Sequence, residues 1–268
     1  MTMKNKSQRG FSLLEVLAVA VFITVITGSV FALLNTGVQR YQMESEVLDS
    51  FQTARLGIDQ MSRDIHEAGF PPANTGWKLP VGQPTALPFA WDPGYVPNTS
   101  CTVGGTCATP NQFDLIIEGN ISPSTGAITQ WIRYTLQGNT LMRGVVNKVA
   151  GTDPVVATSV AGVMLPYVDN VVNNDSAAQI AFLQGFYPGM FPGGTAVPVF
   201  TYECNSSATP PAPLPCTNVN VVAPNNTAPY IRQVGITLIV QSQQLDPQTR
   251  QPRVISLHTD AVVMNPSQ

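Results

Sequence analysis

From Phe11 to Leu34 the chain reads FSLLEVLAVAVFITVITGSVFALL, an apolar run whose one charge is Glu15. Wound as a helix at 1.5 Å per residue, this run is about 36 Å long, more than the roughly 30 Å of a hydrocarbon core. From Asn35 the pattern changes. Phe51, Ala54, Ile58, Met61, Ile65 and Ala68 recur at steps of three and four, while Glu46, Asp49, Arg55, Asp59, Arg63, Asp64 and Glu67 fill the other faces. That is the signature of an amphipathic helix, and Tyr41 and Leu48 extend its stripe toward the N-terminus. No proline precedes Pro71, which is the first of 23. One helix over residues 11–68 is expected, about 87 Å long. Gly28, Gly37 and Gly57 are its weak points, each costing up to about 1 kcal/mol.

Beyond Pro71 the pattern predicts strands and loops. Residues 71–112 are rich in Pro, Gly and Thr and show little periodicity. Residues 113–118 (FDLIIE) form a buried strand. QWIRYTL (130–136) and TLMRGVV (140–146) flank Gln137-Gly138-Asn139, a hairpin signal. A further strand is expected at 197–204. Another covers 231–242, with Val234, Ile236, Leu238 and Val240 on one face, and a turn at Asp246-Pro247 leads into a last strand at 253–264. Strands joined by tight turns make an antiparallel sheet whose apolar face needs a cover, and the stripe on residues 48–68 supplies it. The fold class is α+β.

Only 11% of residues are charged, with 13 Lys+Arg against 16 Asp+Glu. A typical soluble protein carries roughly 25%, so this is a poor match for a cytosolic enzyme surface. Past the first ten residues there is no basic block, and no nucleic-acid site is read from the sequence. The chain has two histidines, His66 and His258. His258 alternates with Leu257 in a strand and reads as a surface residue, and Asp246 and Asp260 form no metal site. No catalytic residue, metal or cofactor is assigned.

Cys101 and Cys107 lie close together in a loop, as do Cys204 and Cys216. Their spacings fit no zinc pattern. In an exported domain all four are disulfide candidates, and of three pairings the nearest-neighbour one is favoured because each bond closes a short loop.

The N-terminal string carries the most information. Lys4 and Lys6 precede Arg9-Gly10-Phe11-Ser12-Leu13-Leu14-Glu15, which leads into the apolar run. A cleaved signal peptide needs a small-x-small site after the run, and FALLNTGVQR is a poor one. A cut between Gly10 and Phe11 would instead remove the basic leader and keep the apolar helix. It would take away three positive charges, moving the net charge from −3 to −6. The positive-inside bias keeps the leader cytoplasmic and exports the rest. Glu15 has several readings, of which the plainest is a place near the lipid headgroups. Ser12-x-x-Glu15 is a capping box, and a carboxylate in an apolar helix, costing about 2.5–3.5 kcal/mol, otherwise needs a partner. Set beside the cleavage-like sequence, the favoured partner is the α-amine of Phe11 on an adjacent subunit.

RGFSLLEVLAVAVF resembles the cleavage and methylation signature of type IV prepilins and type II secretion pseudopilins, over residues 4–36. The resemblance implies a membrane aspartyl prepilin peptidase that cuts after Gly10, N-methylation of Phe11, and Glu15 as the assembly glutamate. Met61-Ser62-Arg63-Asp64-Ile65-His66-Glu67-Ala68-Gly69-Phe70, with Arg55 upstream, is similar to the helix end of W-type (PilW-like) minor pilins and J-type pseudopilins. Trp131-Ile132-Arg133-Tyr134, Thr140-Leu141-Met142-Arg143, Val199-Phe200-Thr201-Tyr202 and the segments 234–240 and 254–264 resemble the same group. Arg63 and Asp64 themselves are read as helix-surface charges, Asp59 pairing with Arg63, and receive no specific role.

The resemblance implies a pilin-like fold in four parts: a cleaved basic leader (1–10), a transmembrane and filament-core helix (11–36), an amphipathic helix (37–70) and an extracytoplasmic β-rich domain (71–268). The implied protein is a minor pilin at or near the tip of a type IV pilus, or a J-type pseudopilin of a secretion system. Its location would be the bacterial inner membrane and then the filament. Its partners would be other pilin or pseudopilin subunits, the prepilin peptidase, the inner-membrane assembly platform and, before assembly, membrane lipid. Two other readings compete. A tip adhesin or DNA-uptake module would use the loops at 71–112 and 204–230, with Trp77, Trp91 and Tyr95. A membrane-tethered periplasmic enzyme finds no nucleophile–base or metal-ligand constellation in its support.

Overall fold

A proline-free start and a proline-dense remainder give two kinds of structure. The computed structural model describes residues 12–70, 87–90, 101–120, 128–149, 163–246 and 249–264. Helix α1 (Leu13–Glu67) runs unbroken for 55 residues, about 82 Å. Gly28, Gly37 and Gly57, its weak points, do not break it. The chain leaves the helix through Gly69, whose φ of 78° is a left-handed value that suits glycine after a helix end. Its amide donates to the Glu118 carbonyl at 2.7 Å.

Among the described residues nine strands follow, all antiparallel, in two sheets. The first holds β1 (Phe89–Ala90), β2 (Asp114–Gly119), β3 (Gln130–Gln137), β4 (Thr140–Asn147) and β5 (Leu165–Val168), side by side in that order. The predicted hairpin is β3–β4, with Gln137 opposite Thr140 and Gly138 at φ 58° in the two-residue turn. The second sheet runs in the order β7-β6-β8-β9. These strands are β6 (Phe200–Asn205), β7 (Pro213–Pro215), β8 (Ile231–Leu245) and β9 (Pro252–Val262). The segment after β5 stitches the sheets together: Val172 N donates to Ile239 O at 2.8 Å and Gln241 N to Asn170 O at 3.0 Å.

The C-terminal part of α1 covers both sheets. Ala54, Ile58, Met61, Ile65 and Ala68 share one core with Leu115, Ile117, Ile132 and Leu141 of the first sheet and Val234, Ile236, Leu238 and Val240 of the second. The stripe continues toward the N-terminus through the buried Met43, whereas Tyr41 and Leu48 are exposed. At 100° per residue Leu48 points about 120° away from Ala54, so counting it into the stripe put the two on different faces. Gly57 is required where it stands. A Cβ there would come within 2.6 Å of a Val168 methyl group, and the missing side chain lets β5 approach the helix.

The expectation of strands and loops alone after Pro71 is corrected by helix α2 (Ala177–Phe186). Ser176 caps it, its Oγ accepting from Gln179 N at 3.3 Å. Ile180 and Leu183 of α2 pack with Phe191, Val172, Ile239 and Val254. Strand β8 is therefore buried on both faces around Ile239, not on one. The buried Asn173 fixes this layer to β8 and satisfies its own amide, donating to Val197 O and Thr237 O and accepting from Ile239 N.

Disulfides join Cys101 to Cys107 and Cys204 to Cys216. The first stapled loop is tied to the segment that follows the second, since Val103 N donates to Asn226 O at 3.0 Å, and all four cysteines belong to the main core. Trp77, Trp91 and Tyr95 lie outside the described residues, as do Gly10 and Phe11.

Candidate functional site

Residues with apolar side chains normally leave water on folding, and those of α1 up to Leu34 do not. Leu13 is 85% exposed and Phe31 73%, and no residue from 13 to 34 is buried. Among the described residues α1 is the one helix long and apolar enough to cross a membrane. Three of its hydroxyl groups are suited to such surroundings because the helix itself satisfies them. Thr24 donates to Ala20 O at 2.8 Å, Ser29 to Val25 O at 2.8 Å and Thr36 to Ala32 O at 3.0 Å. Glu15 has no such outlet: it is exposed in the first turn and pairs with no described side chain. Ser12 holds the N-cap position without a side-chain hydrogen bond, so the capping box expected of Ser12 and Glu15 is not formed through its hydroxyl.

The other end of α1 is clasped to the β-domain by a buried charged group. Asp64 is 2% exposed. Its Oδ2 accepts from the Tyr134 hydroxyl at 2.6 Å and from Arg143 Nη2 at 2.8 Å, and its Oδ1 from Gln60 Nε2 at 2.6 Å. Arg143 Nε donates to the Tyr134 oxygen at 2.8 Å, closing a triangle. The hairpin register places Tyr134 directly opposite Arg143, so both project from one face of the sheet onto the helix. The guanidinium also lies over the Tyr134 and Tyr167 rings, 5.6 and 5.9 Å from their centroids. Burial, and then the Asp64 carboxylate, push the Tyr134 phenol far above its ordinary value. Burial likewise raises Tyr167. For Arg143 burial works the other way, but Tyr134 and Asp64 outweigh it and hold the guanidinium charged.

Reading Arg63 and Asp64 as solvated surface charges is therefore wrong for Asp64. Arg63 donates to Gln60 at 3.0 Å and forms no ion pair with Asp59. The partners of Asp64 come from strands 70 and 79 positions further along the chain, a separation that helical spacing cannot reveal. A signal was present: at 100° per residue Asp64 lies about 80° from the centre of the stripe, on the edge of the buried face.

The opposite face of the first sheet holds two more charged pairs. Arg133 grips Asp114 through Nε and Nη2 at 3.0 and 2.5 Å. The fully buried Glu118 accepts from Trp131 Nε1 at 3.0 Å, from Leu87 N at 2.8 Å and from Lys148 Nζ at 2.5 Å. Charges this deep are tolerable because each is paired and hydrogen-bonded. All three clusters bond structural elements to each other and offer no displaced nucleophile or open coordination position. The described residues contain no group of three His, Cys, Asp or Glu side chains that could hold a metal ion. His258 is an exposed residue, bonded to Thr237 Oγ1 at 2.9 Å.

Structure and sequence define the class as an α+β protein in which an N-terminal helix able to span a membrane carries an antiparallel β-domain. Comparison with known proteins adds no relative: no family model, no curated protein and no solved structure matches the chain.

Proposed function

We propose that this chain is a minor pilin subunit of a type IV pilus, cut by a prepilin peptidase between Gly10 and Phe11 and placed at or near the filament tip. Its helix α1 first sits in the inner membrane. It then leaves lipid for a bundle of like helices, where Glu15 offsets the methylated amine of Phe11 on a neighbour. The domain that follows faces outward and primes or regulates assembly.

The observation that carries this reading is one continuous helix with two different ends. Behind the RGFSLLE string lies a wholly exposed apolar half, and the far half is clasped to a β-domain. A cleaved export signal has no use for such continuity, whereas a filament subunit depends on it. The segments that resemble W-type minor pilins supply the clasp itself, Asp64, Tyr134 and Arg143. The same three segments resemble J-type pseudopilins, so that reading is the second one, and the genes beside this one separate the two.

The test is the mature N-terminus, read by mass spectrometry of protein from its native membrane. N-methylphenylalanine at Phe11 is the expected result. An intact Met1, or a terminus beyond Leu34, would sink the proposal.

A further inference from the structure

Among the described residues the edge strands β7 and β5 are short, with three and four residues. Strand β9, with eleven, is the exception. An edge of that length exposes a row of unpaired backbone groups, which proteins usually blunt with proline, bulges or a cover. In an antiparallel ladder the N–H and C=O of one residue point to the same side, and successive residues alternate. Val263 N donates to Arg232 O, and Thr237 N donates away from β9, to Val199 O. Ile255, Leu257, Thr259 and Ala261 therefore bond to β8, and Val254, Ser256, His258, Asp260 and Val262 direct their amides and carbonyls outward. Pro252 is covered, its carbonyl accepting from the Tyr187 hydroxyl at 2.9 Å. From Val254 onward the outward groups meet no described backbone partner, over about 27 Å.

Beside this edge runs a groove of about 270 Å³. Phe51 and Ile58 of α1 and Leu257 of β9 give it apolar walls, and Arg55 and Asp59 stand at its rim. No residue of β8 lines it, so it lies on the outer side of β9. An open strand edge next to an apolar groove under a helix is an arrangement that accepts an extended peptide as an added strand.

We infer that β9 is a docking edge for a strand-forming segment of a different protein, which bonds to the outward groups of Ser256, His258 and Asp260 and turns aliphatic side chains into the groove beneath Phe51. Its alternate side chains face the polar row of Ser256, His258 and Asp260, so the segment is amphipathic with a period of two. A second copy of this chain is a poor occupant. Antiparallel pairing of β9 with β9 turns one copy by 180° about the sheet normal, which points the two α1 helices in opposite directions. Two copies inserted in one membrane cannot meet that way. The inference stands on the sheet edge and does not depend on the filament reading.

The test is amide hydrogen exchange, read residue by residue by NMR on the full chain in detergent micelles. The probe is a capped heptapeptide of alternating threonine and valine. Millimolar peptide should slow exchange of the outward amides of Ser256, His258 and Asp260 at least tenfold. A peptide N-methylated at alternate amides should not, and Phe51→Glu should weaken the effect. Fusing the same strand after Gln268 through a Gly/Ser linker supplies millimolar effective concentration. Unchanged exchange in that fusion overturns the proposal. So does slow exchange of these amides in the protein alone, which would mean that its own chain covers the edge. Protection that rises with protein concentration without peptide would replace the foreign strand with a second copy.

Discussion

The Tyr134 hydroxyl donates to Asp64 Oδ2 at 2.6 Å, joining the hairpin to a helix 70 positions earlier in the chain. Arg143 completes the contact from the neighbouring strand. Among the described residues Asp64 is the one buried charge of α1, and together with the close approach of β5 at Gly57 it fixes how the helix sits on that sheet.

Removing the carboxylate leaves Arg143 with no counter-charge. Asp64→Ala should cost about 3–5 kcal/mol, the usual penalty for breaking a buried pair. Tyr134→Phe should cost about 1–3 kcal/mol. Arg143→Lys should destabilise too, since an ammonium cannot bond Asp64 and Tyr134 in the same fork. Urea unfolding of the single and double variants gives the coupling. Strict additivity would show that the three groups do not act as one cluster.

The buried phenols predict an alkaline response. Tyr134 and Tyr202 are both raised, each chiefly by burial. Below pH 10 these phenols are neutral whether the chain is folded or not, and their contribution is constant. Above it the unfolded chain ionises them and the folded one does not, so stability falls as pH rises. Absorbance at 295 nm should show these two tyrosines titrating only as circular dichroism reports unfolding.

Two glycines of one helix should respond with opposite signs. At Gly28 a Cβ meets nothing within 4 Å, and at Gly57 it meets the stiff, buried Val168. Gly28→Ala should stabilise the helix by up to about 1 kcal/mol, and Gly57→Ala should cost about 1–3 kcal/mol of overpacking. Thermal unfolding in the same detergent distinguishes them, and equal shifts would contradict the close approach of β5.

The Cys204–Cys216 bond closes a loop with a sequence separation of 12. Replacing both with serine should lower stability by about 3 kcal/mol on the loop-entropy account. Cys216 N also bonds to Tyr202 O, so part of the loop stays in place. A change below about 0.5 kcal/mol in chemical denaturation would mean that the unfolded chain is already constrained.

On the pilin reading proposed above, Glu15→Ala should leave the cut at Gly10 intact and lower incorporation into filaments. Immunoblots of sheared filaments against membranes measure this, and unchanged incorporation would remove Glu15 from the assembly mechanism.

Elements with a strong local period were legible. The α1 stripe from Ala54 to Ala68, the β3–β4 hairpin and β8 follow from spacing, because the buried face of each repeats at its own period. Helix α2 was missed although Ser176 precedes Ala177-Ala178-Gln179-Ile180; its ten residues are too few for a clear stripe. Leu48 was misplaced by reading a chemical type without its angle. Asp64 was misread because burial of a carboxylate depends on what the rest of the chain brings to it. Tyr134 and Arg143 could be quoted as parts of short similar segments, but nothing local in those segments says that they meet.

The unbroken course of α1 ties bearing to height. Each added residue between Leu34 and Met43 would lift the β-domain by about 1.5 Å and swing it by about 100° around the rod. A single alanine inserted at Gly37 would thus turn β9 toward a different quarter of its surroundings, while four would restore nearly the original compass direction one turn higher. The count of residues between the greasy end and the clasp is a dial that fixes which side of the domain its neighbours see.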